Sequence, residues 1–186
     1  VQSSGADEGP TETGTQAGSE EPVPAVTDPP ETTKQAERDW SYPSAEPIPV
    51  QGSVQIPSWI TQDLLLPSEV NRPGTKLEQV NNIIIHYVGN TGSTAKDNRD
   101  YFQSQQDPNE PSYMIQTSSH FVVDLDGSIL QCVPIDEVAY ASYPRHFDTI
   151  AVETCHINDA GEYTKETYDA MVKLSAWLLE IHGLTA

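Results

Sequence analysis

The stretch Asn82-Ile83-Ile84-Ile85-His86-Tyr87-Val88 constrains this chain more than any other. Three consecutive isoleucines with no polar alternation read as a β-strand buried on both faces, and so as a central strand of a sheet. Gly89 and Gly92 end the run. The rest of the chain has to supply neighbours for that strand and helices to cover it.

Most of those elements follow it in sequence. Thr94, with Asp97 three residues on, predicts a helix start, and Ala95, Tyr101 and Phe102 continue an amphipathic pattern to about Gln105. Residues 119–124 and 128–133 read as two strands joined by an Asp-Gly turn at Asp124-Leu125-Asp126-Gly127. Residues 149–156 read as another strand and 158–161 as a turn. Thr164 caps a last helix in which Tyr168, Met171, Val172, Ser175, Leu178 and Leu179 keep helical spacing. Leu174, Trp177 and Ile181 widen its apolar face, which predicts a largely buried helix closed by Gly183. Before the triple isoleucine, Trp59, Ile60 and Leu64-Leu65-Leu66 read as a short irregular or helical stretch ended by Pro67. The expected fold class is α/β, with one domain over 56–186 in which helices flank a mixed central sheet.

Composition explains why the domain starts so late. Residues 1–45 contain no Ile, Leu or Phe, and 8 of the 15 prolines lie in the first 50. Such a segment cannot bury enough apolar surface to offset its ordering entropy, so 1–50 is expected to be a disordered, acidic Pro/Thr/Glu-rich tail. Acidic spacers of this kind suit exported proteins, which points to an extracellular or cell-wall location, with an anchor upstream as one option. Val1 opens no leader pattern, so the sequence reads as a mature secreted form or a piece of something longer. A net charge of −19 disfavours nucleic acid and anionic membranes as partners. No apolar run approaches the ~20 residues of a membrane-spanning helix.

Two residues stand out chemically. His86 ends a buried run beside a Gly-rich loop, where a sheet commonly presents functional groups. In Ile150-Ala151-Val152-Glu153-Thr154-Cys155, strand period places Ala151, Glu153 and Cys155 on one face. A carboxylate inside an apolar strand is expensive unless paired or neutral, which makes Glu153 either functional or a structural acceptor of backbone hydrogen bonds. A strand-end His and an in-sheet Glu suit a zinc hydrolase, in which the metal lowers the pKa of water and a carboxylate takes its proton. Cys155 reads as a small core residue, half of a bridge to Cys132, or a cleft thiol. His146 reads as a loop-surface residue with a cleft imidazole as the alternative, and His156 as structural, pointing away from Glu153.

From Ile56 to Ala186 the sequence resembles the zinc-dependent N-acetylmuramoyl-L-alanine amidases of the peptidoglycan-recognition-protein-like fold, and within them the cell-wall amidases of Firmicutes. The matching motifs are Ile83-Ile84-Ile85-His86-Tyr87, Asn98-Arg99-Asp100-Tyr101-Phe102, Ser118-Ser119-His120-Phe121-Val122-Val123-Asp124, Val138-Ala139-Tyr140-Ala141-Ser142 and Asp148-Thr149-Ile150-Ala151-Val152-Glu153. The resemblance implies hydrolysis of the bond between N-acetylmuramic acid and L-Ala of the stem peptide. It implies one zinc ion, His86 as a metal ligand and Glu153 as the catalytic carboxylate. It also implies substrate contacts from His120, Tyr87 and Tyr140, and peptidoglycan as the partner. In that family the remaining ligands follow the last helix, in a segment resembling Arg-His-Tyr-Asp-x-Thr-Gly-Lys-x-Cys-Pro. This sequence stops at Ala186, where such a segment would begin, so an incomplete metal site is expected. His182, inside the helix, reads as a non-ligand. The rival readings are a muropeptide-binding module without catalysis, or an inactive fragment of the amidase.

Overall fold

The computed structural model describes residues 54–186. The expectation for residues 1–50 lies outside the described residues. Five strands form one mixed sheet: β1 (Ile60–Gln62), β2 (Asn82–Tyr87), β3 (Phe121–Val123), β4 (Ile129–Gln131) and β5 (Thr149–Thr154), in the order β1-β4-β3-β5-β2. Only β3 and β4 pair antiparallel; β1 with β4, β3 with β5 and β2 with β5 are parallel. Helix α1 (Ala95–Ser104) packs on β3 and β4, and α2 (Lys165–His182) on β2 and β3. The expected α/β class is therefore observed, with two local corrections.

First, Ile60–Gln62 is a strand, where an irregular or helical stretch is expected from sequence. Its parallel partner is β4, about seventy residues away (Ile60 opposite Ile129), so no local pattern announces it. Second, β2 is an edge strand and not a central one. Ile83 packs against the core under α2, but Ile85 is 43% exposed. The isoleucine run specifies extended backbone; strand order decides which strand has two neighbours.

Local signals place the helices well. Thr94 accepts a hydrogen bond from the Asp97 N–H while the Asp97 carboxylate accepts from the Thr94 N–H, a complete capping box. Thr164 caps α2, and Gly183 ends it at φ +63°, with the Leu184 N–H reaching back to the Leu179 carbonyl. The buried stripe of α2 is narrower than its composition suggests. Leu174 and Leu178 are buried, with Ala170, Trp177 and Ile181 packed alongside, while Tyr168 and Val172 are exposed. Trp177 meets Trp59 and Phe121 edge to face, with ring centres 6.0 and 6.2 Å away.

The β3–β4 hairpin is gripped by both helices. The Asp124 carboxylate accepts from the Ala95 N–H at the start of α1. The Thr167 and Thr164 hydroxyls donate to the Asp124 and Leu125 carbonyls. Gly127 sits at φ +80°, and a Cβ there would stand 2.8 Å from the Glu166 carbonyl oxygen, so both conformation and space require glycine.

Candidate active site

Strands β2 and β5 run parallel with His86 opposite Glu153. Ile83, Ile150 and Val152 lie in the core under α2. Two-residue periodicity then turns His86, Glu153 and the β3 partner Val122 to the opposite face of the sheet. Glu153 opens into a cleft of about 600 Å³, whose wall includes Tyr140, Tyr143, His146, Phe147 and Thr117.

Glu153 receives no hydrogen bond from the described residues. Burial alone pushes its carboxyl up to about 7. This removes the alternative of a structural carboxylate satisfied by backbone N–H groups. At neutral pH such a group is close to half ionised, which suits taking a proton and returning it. Beside it, His86 has a buried Nε2 with no partner.

The other expected site residues fall in different places. Tyr140 lines the cleft with Glu153, its backbone held by Ser118: the Tyr140 N–H donates to the Ser118 hydroxyl and its carbonyl accepts from the Ser118 N–H. Burial raises the pKa of its phenol. His120 does not face the cleft, and its expected substrate contact is corrected. It is fully buried; Nδ1 accepts from the Ala151 N–H at 3.0 Å and Nε2–H donates to the Glu137 carbonyl at 2.8 Å. No ring nitrogen remains for a ligand, and burial lowers its pKa to about 4. Tyr87 is likewise not brought to Glu153. It follows His86 by one residue, turns to the other face, is 64% exposed and rests edge to face on His156.

His146, read from sequence as loop surface, is in the cleft. The signal was weak because three loop residues separate it from Ser142, whose N–H it binds through Nδ1 at 3.0 Å. His156 is pinned between the Val88 and Asn158 carbonyls and stays structural, as expected. Both cysteines are free and buried in the core cluster on the α1 side, which removes the bridge. Burial pushes both thiols up to about 12, so neither is a ready thiolate nucleophile at neutral pH.

Zinc takes three protein ligands and keeps one open position when it is catalytic. Among the described residues, no three His, Cys, Asp or Glu side chains gather to hold a metal ion. His86 offers one orphaned nitrogen at this sheet edge, and His120 and His156 have both of theirs bonded. The described residues therefore do not by themselves fit a zinc ion.

A half-buried, unpartnered carboxylate in an open cleft next to an unpartnered imidazole is the layout of a hydrolytic centre on an α/β sheet. Comparison with known proteins fixes the family: the model for N-acetylmuramoyl-L-alanine amidase matches residues 76–186, and the chain belongs to that family. It is 28% identical over 141 residues to the N-acetylmuramoyl-L-alanine amidase CwlL of Bacillus licheniformis, covering 68% of this chain and 37% of that one. It is 32% identical over 83 residues to BlyA of Bacillus subtilis, another N-acetylmuramoyl-L-alanine amidase, covering 45% of this chain and 20% of that one. The chain thus spans well under half the length of the curated relatives it matches. The fold is shared with PlyL, at TM-score 0.55 and 20% identity over 68% of this chain and 76% of that one. It is shared also with the catalytic domain of XlyA, at 0.53 and 23% over 68% and 78%.

Proposed function

We propose that this domain hydrolyses the amide joining N-acetylmuramic acid to L-Ala in peptidoglycan. Glu153 takes the proton of the attacking water and delivers it to the departing amine. The observation that carries this reading is the Glu153 carboxyl itself: buried enough to titrate at about 7, bonded to nothing, and open to a cleft. A group with that pKa serves as base and acid in turn near neutral pH. In the same proposal His86 Nε2 is a zinc ligand, a set that the described residues do not complete, and Tyr140 shapes the substrate side of the cleft. Peptidoglycan lies outside the cell membrane, so export belongs to the proposal as well.

The test is digestion of purified peptidoglycan, scoring newly freed L-Ala amino groups, with the Glu153→Gln variant in parallel and a chelator in a third arm. Release by the parent and a loss of about 100-fold or more in the variant are expected. Equal release by both would remove Glu153 from the mechanism. Release indifferent to the chelator would take zinc out of the reading. Binding without release would favour a muropeptide-binding module.

A further inference from the structure

We propose that His146 is a catalytic residue of this reaction: its Nε2–H donates a hydrogen bond to the oxygen of the scissile carbonyl as that oxygen gains negative charge. The inference rests on the amidase reading above and adds a second working group to the cleft.

Three observations carry it. The first is place: His146 and Glu153 line the same cleft, together with Tyr140. The second is protonation. Nδ1 accepts the Ser142 N–H at 3.0 Å, so the ring's single proton sits on Nε2. A second proton on Nδ1 would face that N–H donor, and burial also disfavours the cation. Nε2–H has no acceptor among the described residues. A neutral imidazole with a fixed tautomer and an unused N–H is a donor waiting for an acceptor.

The third is rigidity. The ring stands edge to face on Tyr140 at 5.5 Å between centres, with Tyr143 at 5.9 Å and Phe147 at 6.5 Å. The backbone beneath it is tied by Arg145 N–H to the Ser142 carbonyl and by the Thr149 hydroxyl to the Arg145 carbonyl. Donors that stabilise developing charge work because they are oriented before the reaction starts. Thr117, Tyr140 and Tyr143 also belong to the cleft wall and carry hydroxyls, but a hydroxyl rotates about its C–O bond, whereas the imidazole N–H is fixed by its ring.

The step balances with the groups present. Water oxygen bonds to the carbonyl carbon, its proton passes to the Glu153 carboxylate, and the C=O π pair moves onto oxygen, where Nε2–H of His146 meets it. On collapse the π pair re-forms the carbonyl, the C–N bond breaks, and the proton on Glu153 goes to the L-Ala nitrogen. His146 keeps its proton throughout.

The experiment compares peptidoglycan cleavage by the parent chain and by His146→Ala, His146→Phe, His146→Gln and Tyr140→Phe. His146→Phe preserves the stacked ring and guards against a variant that merely fails to fold. Loss of the donor should lower kcat by about 100-fold with KM changed by less than about threefold. His146→Gln, which keeps an N–H donor, should recover at least about tenfold of that loss. In the parent, the ¹⁵N resonance of His146 Nε2 should carry a proton and shift when muramyl dipeptide is added. A kcat within about threefold of the parent in both His146→Ala and His146→Phe overturns the inference while leaving the amidase reading intact, and so does a loss confined to Tyr140→Phe. A parent chain that shifts the Nε2 resonance but cleaves nothing overturns both.

Discussion

The two sides of strand β5 carry histidines in opposite condition. On the β3 side His120 is fully buried, and both of its ring nitrogens are bonded to backbone. On the β2 side His86 has a buried nitrogen bonded to nothing, opposite a carboxylate that also lacks a partner. Buried polar groups in folded proteins are almost always satisfied, because leaving one bare costs about 1–3 kcal/mol. The β3 side obeys that rule, and at the β2 edge the His86 nitrogen breaks it beside a carboxylate that opens into the cleft. The lesson is that residue type says little about role; what a polar atom is bonded to says more. One neighbour of β5 carries a histidine whose ring is fully bonded into the fold, and the other carries polar groups left open to a ligand or a reaction.

The largest expected contrast is between two histidine deletions. His120→Ala leaves the Ala151 N–H and the Glu137 carbonyl bare beside a new cavity, so it should cost about 4 kcal/mol, much of a small domain's stability. His86→Ala removes an already unpartnered group and should stay within about 1 kcal/mol of the parent. Chemical denaturation of both variants checks this, and equal losses would break the comparison.

Acidity should separate the same two sides. His120 has a folded pKa near 4, below the usual 6.5, so its contribution to stability is present above pH 6.5 and lost as pH falls toward 4. Glu153 has a folded pKa near 7, above the usual 4.5, so its contribution is present below pH 4.5 and lost as pH rises toward 7. Each is worth up to about 3 kcal/mol, and between pH 4.5 and 6.5 the two slopes oppose. His146 and His182, whose pKa values burial also lowers, add to the rise, so Glu153→Gln should gain stability with pH across that window more steeply than the parent does. Urea melts at several pH values would expose a parallel pair of curves as a contradiction.

Smaller effects sharpen the boundary. Gly127→Ala, strained at positive φ and pressed on Glu166, should cost about 2 kcal/mol in a melt without altering KM. Tyr87→Ala should change stability by less than about 0.5 kcal/mol and activity by less than about twofold, because the ring faces solvent away from Glu153. A large activity loss there would return Tyr87 to the site.

What the sequence made legible were features set by neighbours in the chain. The Thr94–Asp97 box, the Thr164 and Gly183 caps and the turn at Asp124 depend on contacts within a few residues. Glu153 was visible for the same reason, since an acid breaking an apolar strand is a local anomaly. Features set by strand order were hidden. Nothing near Ile60 marks its pairing with Ile129, and nothing in the isoleucine run marks β2 as an edge. The burial of His120 depends on Ala151 and Glu137, which lie 31 and 17 residues away. The place of His146 depends on how its loop folds back to Ser142 and Tyr140, which spacing does not encode.

The most direct test of the account is the titration of Glu153 itself, followed by the ¹³C shift of its side-chain carboxyl in the folded chain. A midpoint near pH 7, in a single step that vanishes in Glu153→Gln, is the predicted result. A midpoint at or below the ordinary 4.5 would mean that the carboxylate is solvated or paired, and would contradict its place as the unpartnered base of the cleft.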